Sequence, residues 1–254
     1  MTLVIVLVAL LPTAGGCVPS SAPMGPAAIP ASSRGDVIRR ALTSVVQLRS
    51  EREGGVRRAA SGVVVATDAP ARRAWIVTVR HFVTPSRPQQ IFVEVPSRRG
   101  AVPALVMSVS ADDMDLDLAI IEVDGVDVTP ARLKDTASLG DEVLVVAFPW
   151  GQRFTVVRGI VSQVAPGDVD SRVTGPARLI DASVSYGSSG GGAFDARTGE
   201  LIGIVETYRT AKITIPELKD RAIEVPVPGE TTLVPAAVIH RFLEDFGLGR
   251  RLPK

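Results

Sequence analysis

Cysteine and histidine are scarce in this chain, and their scarcity excludes several kinds of site. Cys17 is the single cysteine among 254 residues, so neither an internal disulfide nor a cysteine-based zinc cluster can form. His81 and His240 are the two histidines, and they do not build the HExxH pattern of a helical zinc site. Any chemistry that needs histidine therefore has two candidate residues, and the sequence implies no metal and no other cofactor.

An excess of charge of one sign is also missing. The chain has 28 basic and 27 acidic residues, for a formal net charge of +1, and it contains no basic run, which argues against nucleic-acid binding. Apolar residues make up 46% and charged residues 22% of the chain, which is ordinary globular composition without a signature of disorder. A chain of this length can form one large domain or two small ones.

Long hydrophobic runs are absent as well. The apolar run Leu3–Leu11 is too short to span a bilayer, which needs about 20 residues, but it fits the hydrophobic region of an export signal. The stretch "AGGC" that ends at Cys17 resembles a bacterial lipobox, in which the cysteine is lipidated. Ala14 stands where leucine is commonest, and no Lys or Arg precedes the apolar run.

We therefore predict an export signal over residues 1–17, lipidation of Cys17, and a location at the periplasmic side of the cell envelope. The alternative is a simple cleaved signal in which Cys17 has no role. Residues 18–35 follow as a stretch rich in Pro, Ala and Ser, which is typical of an extended tether of about 3.1 Å per residue.

The pattern changes to short β-branched runs separated by turn residues after residue 36. Ten or so such runs, with hardly any helical window between them, predict an all-β protein. We expect a domain over residues 36–250 that contains two six-stranded barrels, at about 36–130 and 131–234. Asp36 is predicted to cap a short first helix. A C-terminal helix is expected over 235–246, with Pro235 at its first position and Gly247 closing it.

The loop "YGSSGGGAF", residues 186–194, contains the G-x-S-x-G pattern of a nucleophilic serine at Ser189. In an α/β-hydrolase a helix follows the serine, and the order Ser189, Asp220, His240 would be required. The residues after Ser189 instead predict glycine, a turn and a strand. A phosphate-binding loop needs Lys followed by Ser or Thr after the glycines, and these are absent.

The opposite chain order, His then Asp then Ser, is that of a chymotrypsin-type triad. His81 ends the apolar strand "IVTVRHFV", and Asp117 begins the strand "DLAIIEV". The chain resembles the trypsin-like serine proteases, and in particular their HtrA (Deg) branch, over about residues 40–247. Four stretches in order carry this resemblance: "SGVVVAT…IVTVRHFV", "DLDLAII", "LGDEVLVVAFPWG…TVVRGIVSQV" and "DASVSYGSSGGGAFDARTGELIGIV".

The resemblance also has departures. Val79 and Arg80 precede the histidine where a small residue or Asn is usual, Ala147 and Phe148 replace a common Gly-Asn, and Ser188 replaces Asn or Asp. The resemblance implies two barrels of the chymotrypsin type, without the PDZ domain of HtrA proteases. Asp112, Asp113 and Asp115 are expected in the loop before the catalytic aspartate, and His240 is expected to be structural.

The resemblance implies a role for each site residue. Ser189 is the nucleophile, His81 the general base, and Asp117 the group that orients the imidazole. The loop Gly187, Ser188 and Ser189 is expected to form the oxyanion hole with its backbone N–H groups. Ser183, Tyr186 and Tyr208 are expected at the pocket for the substrate side chain: Ser183 near its base, without a carboxylate, and Tyr208 across its mouth.

This pocket is expected to disfavour cleavage after Lys or Arg and to prefer small aliphatic residues. The resemblance implies an exported serine endopeptidase that acts on protein or peptide substrates in the cell envelope. Two alternatives remain open on the same fold: a protein-binding member that is silent or conditionally active, and an esterase with the same triad. The oligomeric state is open.

Overall fold

Two closed β-barrels form the fold in the part of the chain that the structure describes, and each has six antiparallel strands. The structure is a computed structural model, and it describes residues 33–52, 55, 57–84, 89–96, 98–111, 116–165, 173–214 and 222–253. Cys17 and most of the predicted tether lie outside these residues, as do Asp112, Asp113, Asp115 and Asp220. The predicted all-β class with two six-stranded barrels is confirmed.

The first barrel is built from six strands in the spatial order β1-β2-β3-β6-β5-β4. The strands are β1 (Val45–Arg52), β2 (Arg57–Asp68), β3 (Arg73–Thr78), β4 (Gln89–Glu94), β5 (Val102–Val109) and β6 (Ala119–Asp124). Successive residues Val63, Val64 and Val65 are fully buried, so β2 is covered on both faces. This explains why its sequence is a continuous apolar run and does not alternate.

The second barrel has the spatial order β11-β14-β13-β12-β8-β9. Its strands are β8 (Glu142–Ala147), β9 (Thr155–Val164), β11 (Ala177–Ile180), β12 (Gly192–Asp195), β13 (Leu201–Thr214) and β14 (Ala222–Pro235), and the short pair β7 (Ala137–Ser138) and β10 (Thr174–Gly175) stands apart. The larger apolar cluster joins barrel-one residues to Phe194 and Ile204 of barrel two, and a separate cluster that includes Val145 and Ile202 lies within barrel two.

Helices flank the barrels at both ends of the described chain. Helix α1 (Arg34–Ser44) begins at the cap Ser33, whose hydroxyl accepts a hydrogen bond from Asp36 N, while Asp36 in turn accepts from Ser33 N. The prediction that Asp36 is the cap was therefore wrong: it is the reciprocal partner in a capping box, a role that an acid three residues after a serine fills well.

The C-terminal helix (Ala236–Asp245) begins immediately after Pro235, which is its cap and not its first helical residue. Ile239 and Leu243 are fully buried against the large core. Gly247 follows the helix with a φ of 88°, the left-handed conformation expected of a closing glycine. None of the helices among the described residues is long and apolar enough to cross a membrane.

A buried serine connects the two barrels at the point where the serine loop lies. Ser61 of β2 is fully buried, and its N–H donates to the carbonyl of Ser189 over 2.9 Å. Thr78 donates to the Ser61 carbonyl at 2.8 Å. Next to Ser189, Gly190 approaches this contact so closely that an added Cβ would lie 2.1 Å from the Ser61 carbonyl oxygen.

Gly190→Ala is expected to destabilise the protein far more than Gly140→Ala. Both glycines have a φ of 82°, but a Cβ at Gly140 would meet open space. Gly140→Ala thus measures the left-handed backbone penalty alone, about 1–2 kcal/mol, while Gly190→Ala adds overpacking of about 1–3 kcal/mol. Urea unfolding of both variants measures the difference, and equal losses would show that the seam between the barrels is not tightly packed.

Candidate active site

His81 lies on a one-turn helix, α2 (Arg80–Val83), which follows β3 after the extended residue Val79. Arg58 donates to the carbonyl oxygens of Phe82 at 3.4 Å and of Thr84 at 3.2 Å. Since such a short helix leaves its last carbonyls without partners, these bonds fix its C-terminal end. The imidazole of His81 is 46% exposed, which leaves its outer edge accessible from the cleft.

Asp117 forms two hydrogen bonds with His81. Its Oδ2 lies 2.6 Å from Nδ1 of the ring, and its Oδ1 accepts the backbone N–H of His81 at 2.8 Å. An ionised carboxylate can only accept, so Nδ1 carries the proton and Nε2 is the basic nitrogen. The pair therefore holds the tautomer that a general base requires.

The surroundings of Asp117 keep its carboxyl group ionised. Burial by itself raises the pKa of Asp117, but the hydrogen bonds and charge of His81, with a smaller contribution from Arg80, hold that pKa below its ordinary value. The carboxylate is therefore ionised throughout the neutral range. A negative charge at this position stabilises an imidazolium on His81.

A second buried serine holds the backbone on both sides of Asp117. The hydroxyl of Ser110 donates to the Leu116 carbonyl at 2.5 Å and accepts from Leu118 N at 3.2 Å, and Ser110 N donates to the Leu118 carbonyl at 2.9 Å. Sequence reasoning missed this residue, because no motif surrounds it and its role depends on a contact across a loop.

The serine loop presents Ser189 between two tight turns. Ser188 N donates to the Ser185 carbonyl at 3.0 Å and Gly191 N donates to the Ser188 carbonyl at 2.8 Å. Ser188 itself is 2% exposed, so it has a structural role in the loop. Among the described residues, neither the N–H of Gly187 nor that of Ser189 donates to a protein group. These two amides are therefore available to a bound oxygen.

One cleft of about 330 Å³ brings the candidate residues together. His81, Gly187 and Ser189 line it, and so do Tyr186 and Tyr208. No hydrogen bond between Ser189 and His81 is found in the described part of the chain. In enzymes without substrate such catalytic bonds are often long and tighten only when the substrate binds.

Two of the three predicted pocket residues, Tyr186 and Tyr208, line this cleft. Ser183 is exposed and is not among the described residues that line the cleft, so it does not form the base of this cleft. The charged side chains of Arg58 and Glu224 line the cleft, and the absence of a carboxylate at the base of the substrate pocket, expected near Ser183, stays a prediction. Glu224 lies on β14, 35 residues beyond Ser189 along the chain, and no local pattern marks it.

His240, the second histidine, lies on the C-terminal helix outside this cleft. Its Nδ1 is 3.3 Å from Oδ2 of Asp135, and its Nε2 is 3.7 Å from Glu244. These are partly exposed ion-pair contacts at the surface. The two histidines thus both have an aspartate partner, but the cleft with the nucleophile candidate is lined by His81 alone of the two.

A comparison with protein-family models matches residues 60–204 to the trypsin-like peptidase domain. The chain belongs to the trypsin-like peptidase family. This segment contains His81, Asp117 and Ser189 and extends across both barrels. The predicted family is thereby confirmed.

Curated relatives from the HtrA branch support this membership. The serine endoprotease DegS of Salmonella typhimurium is 30% identical over 174 residues, which cover 66% of this chain and 44% of that protein. A probable periplasmic serine endoprotease, DegP-like, from Hahella chejuensis is 30% identical over 146 residues, covering 57% of this chain and 28% of that protein. The chain thus spans less than half the length of these two relatives.

Solved structures agree with the two-barrel fold. A serine endoprotease from Yersinia pestis superimposes with a TM-score of 0.62 at 26% identity, covering 88% of this chain and 68% of the other. The HtrA-type protease AlgW with a tripeptide gives a TM-score of 0.63 at 22% identity, covering 85% and 64%. At that lower identity the second likeness supports the fold alone.

Asp117→Asn is expected to lower kcat by on the order of 10³–10⁴. The Asn side chain has the same shape, but its amide donates to Nδ1 and forces the proton onto Nε2, so the base is lost. The melting temperature is expected to shift by no more than about 4 °C, the equivalent of about 1 kcal/mol in a chain of this size.

Asp135→Asn is the matched control, because it makes the same change in the other His–Asp pair of the described chain, outside the cleft. Its kcat is expected to equal that of the wild type. Equal losses of kcat in both variants, or none in either, would contradict the role assigned to Asp117.

Proposed function

We propose that this protein is a serine endopeptidase. The observation that carries the proposal is the two-point bond between Asp117 and His81, at 2.6 and 2.8 Å, beside Ser189 in a single cleft. A half-buried carboxylate that fixes one imidazole tautomer next to a serine on a glycine loop is the arrangement that activates a hydroxyl for acyl transfer.

The first chemical step is the attack of Ser189 Oγ on the substrate carbonyl carbon. His81 Nε2 takes the hydroxyl proton as the new C–O bond forms, and it later gives that proton to the leaving amine. General acid–base catalysis of this kind contributes about 10²–10⁴-fold. Asp117 stays ionised and stabilises the imidazolium that exists between the two transfers.

The negative charge on the substrate oxygen is met by the N–H groups of Gly187 and Ser189. Support comes from the lack of any internal acceptor for these two amides among the described residues. One such donor typically contributes on the order of 10²–10³ in rate. The carbonyl of Gly187 is already bonded to Ser61 at 2.9 Å, so that group cannot turn into the site without breaking a buried hydrogen bond.

The proposed substrates are proteins of the cell envelope. Support comes from relatives such as the probable periplasmic serine endoproteases, and from the sequence of residues 1–17, which is typical of an export signal. Lipidation of Cys17, with residues 18–35 as a tether, would hold the protease domain near a membrane surface.

A conditionally active member of the family is the second candidate. The observation in its favour is that no hydrogen bond joins Ser189 to His81 within the described residues. In such a protein a bound partner would be needed to complete the triad. The two candidates differ in one property: a peptidase reacts with a serine-directed probe as the isolated protein, whereas a conditionally active member reacts only after a partner binds.

A fluorophosphonate probe is expected to label the isolated wild type, because the reagent reacts with a serine activated by a base and an oxyanion hole. Ser189→Ala and His81→Ala are expected to abolish labelling. His240→Ala is the matched histidine control and is expected to be labelled like the wild type. A wild type that stays unlabelled alone but reacts after addition of unfolded protein would favour the conditionally active reading.

A wild-type protein that stays unlabelled under all conditions would contradict the proposed enzymatic function and favour a binding protein. For a labelled protein, digestion of casein separates the remaining possibilities: peptide products that depend on Ser189 support a peptidase. Cleavage of p-nitrophenyl esters without any cleavage of casein would instead indicate an esterase.

Cys17→Ser is expected to move the exported protein from the membrane to the soluble fraction. Each buried CH₂ of an acyl chain contributes about 0.8 kcal/mol, so loss of the chains removes the anchor. Metabolic labelling with an alkyne fatty acid, followed by detergent phase partitioning, measures both effects. A wild type that is processed but carries no fatty acid would show a simple cleaved signal.

A further inference from the structure

Trp150 has a backbone conformation that few residues of its type adopt. Its φ is 58° and its ψ is 14°, and Arg72 is the one other described non-glycine residue with a positive φ. A non-glycine residue in this left-handed region is strained, and such residues concentrate at functional sites. Trp150 lies in the short turn Pro149–Gly151 after β8, directly beside the serine loop.

In this strained conformation the N–H of Trp150 points toward the serine loop. This N–H donates to the carbonyl oxygen of Tyr186 at 2.8 Å. The carbonyl of Tyr186 and the N–H of Gly187 belong to one planar trans peptide group, so they point in opposite directions. Holding the carbonyl on the Trp150 turn therefore directs the Gly187 N–H away from that turn.

The next peptide group is held from the other barrel. The hydroxyl of Ser61 donates to the Gly187 carbonyl at 2.9 Å and accepts from Phe148 N at 2.8 Å. Gly187 itself has a φ of 87°, and a Cβ there would lie 2.7 Å from Trp150 N. The peptide groups on both sides of Gly187 are thus fixed by hydrogen bonds, while its own N–H has no protein acceptor among the described residues.

The turn that holds Trp150 is itself anchored on the first barrel. Gln47 of β1, 9% exposed, donates through Nε2 to the Gly151 carbonyl at 2.8 Å. Gly151 also lies so close to Ala59 that an added Cβ would be 2.6 Å from the Ala59 side chain. On its outer side the Trp150 ring packs against the Tyr186 ring, with centroids 5.2 Å apart.

We propose that Trp150 is a positioning residue for the oxyanion donor of Gly187. Its left-handed backbone aims its N–H at the Tyr186 carbonyl, and this bond keeps the Tyr186–Gly187 peptide with the N–H of Gly187 available to the substrate oxygen. Without the bond the Tyr186–Gly187 peptide group can rotate. The Tyr186 carbonyl, an acceptor, then takes the place of the Gly187 N–H, a donor, in the site. This inference rests on the proposed peptidase function, since it concerns the same cleft.

Substitutions at position 150 can separate the backbone from the ring. Asn is one of the few side chains that adopt the left-handed region readily, whereas a β-branched residue is a true outlier there. Trp150→Asn and Trp150→Val have similar volumes and both remove the ring contact with Tyr186. They differ in whether the residue can keep the φ of 58° that aims the N–H.

The expected order of kcat is Asn above Ala above Val at position 150. We expect the Val variant to have a kcat at least about tenfold below that of the Asn variant, as part of the 10²–10³ contributed by an oxyanion donor. KM for a peptide substrate is expected to differ by less than about threefold, because the donor acts on charge that develops in the transition state. A merely structural role would lower the active fraction, which titration with the fluorophosphonate probe measures separately.

Hydrogen exchange gives a readout that does not depend on activity. The amide of residue 150, followed by NMR, is expected to exchange slowly in the wild type and the Asn variant and at least about tenfold faster in the Val variant. If the Val variant does not fold, the Ala and Asn variants provide the same comparison.

The outcomes separate the two proposals. A wild type without hydrolytic activity would overturn the proposed function, whatever the exchange rates are. An active wild type whose Asn, Ala and Val variants have equal kcat, or equal exchange at residue 150, would overturn the positioning role of Trp150 alone. Lower kcat in the Val variant with faster exchange at residue 150 would support it.

Discussion

The site depends on one buried hydroxyl, that of Ser61, at the seam between the two barrels. Ser61 lies on β2 of the first barrel, yet its side chain bonds the Gly187 carbonyl and the Phe148 N–H of the second, and its backbone bonds Ser189. His81 and Asp117 come from the first barrel and Ser189 from the loop before β12, so the relative position of base and nucleophile is set across this seam. A buried hydroxyl with donor and acceptor both satisfied forms such a link without leaving an unpaired polar group.

Electrostatics and geometry reinforce each other at Asp117. The low pKa of its carboxyl and its two bonds to His81 have the same origin, because the hydrogen bonds that orient the imidazole also stabilise the ionised form. Ser110 holds the peptide groups around it. The pair is therefore built before any substrate arrives, and pre-organised charge needs no rearrangement at the moment of reaction.

Three residues near the nucleophile have a left-handed backbone, and one of them, Trp150, is not a glycine. Trp150, Gly187 and Gly190 all have positive φ, and each makes a backbone hydrogen bond or a close approach that another conformation would lose. The large apolar cluster, which includes residues of both barrels and of the C-terminal helix, stabilises the fold that holds these positions. The aromatic pair of Trp150 and Tyr186 lies at the surface beside the cleft, 62% and 45% exposed, so this part of the loop is accessible to molecules that enter the site.

The sequence by itself determined the all-β class and the order of His81, Asp117 and Ser189, because β-branched runs, turn residues and short motifs act over a few neighbouring positions. Ten or so such runs, together with the resemblance to the trypsin-like proteases, also indicated the two barrels. Tertiary structure alone decided the remainder. Ser61 bonds a loop 126 residues away, Glu224 lines the cleft whereas Ser183 does not, and position 150 adopts a left-handed backbone although it is a tryptophan. Such contacts arise when strands distant in the chain close into barrels. Local sequence patterns do not indicate which distant backbone group will lie within hydrogen-bonding distance of a given side chain.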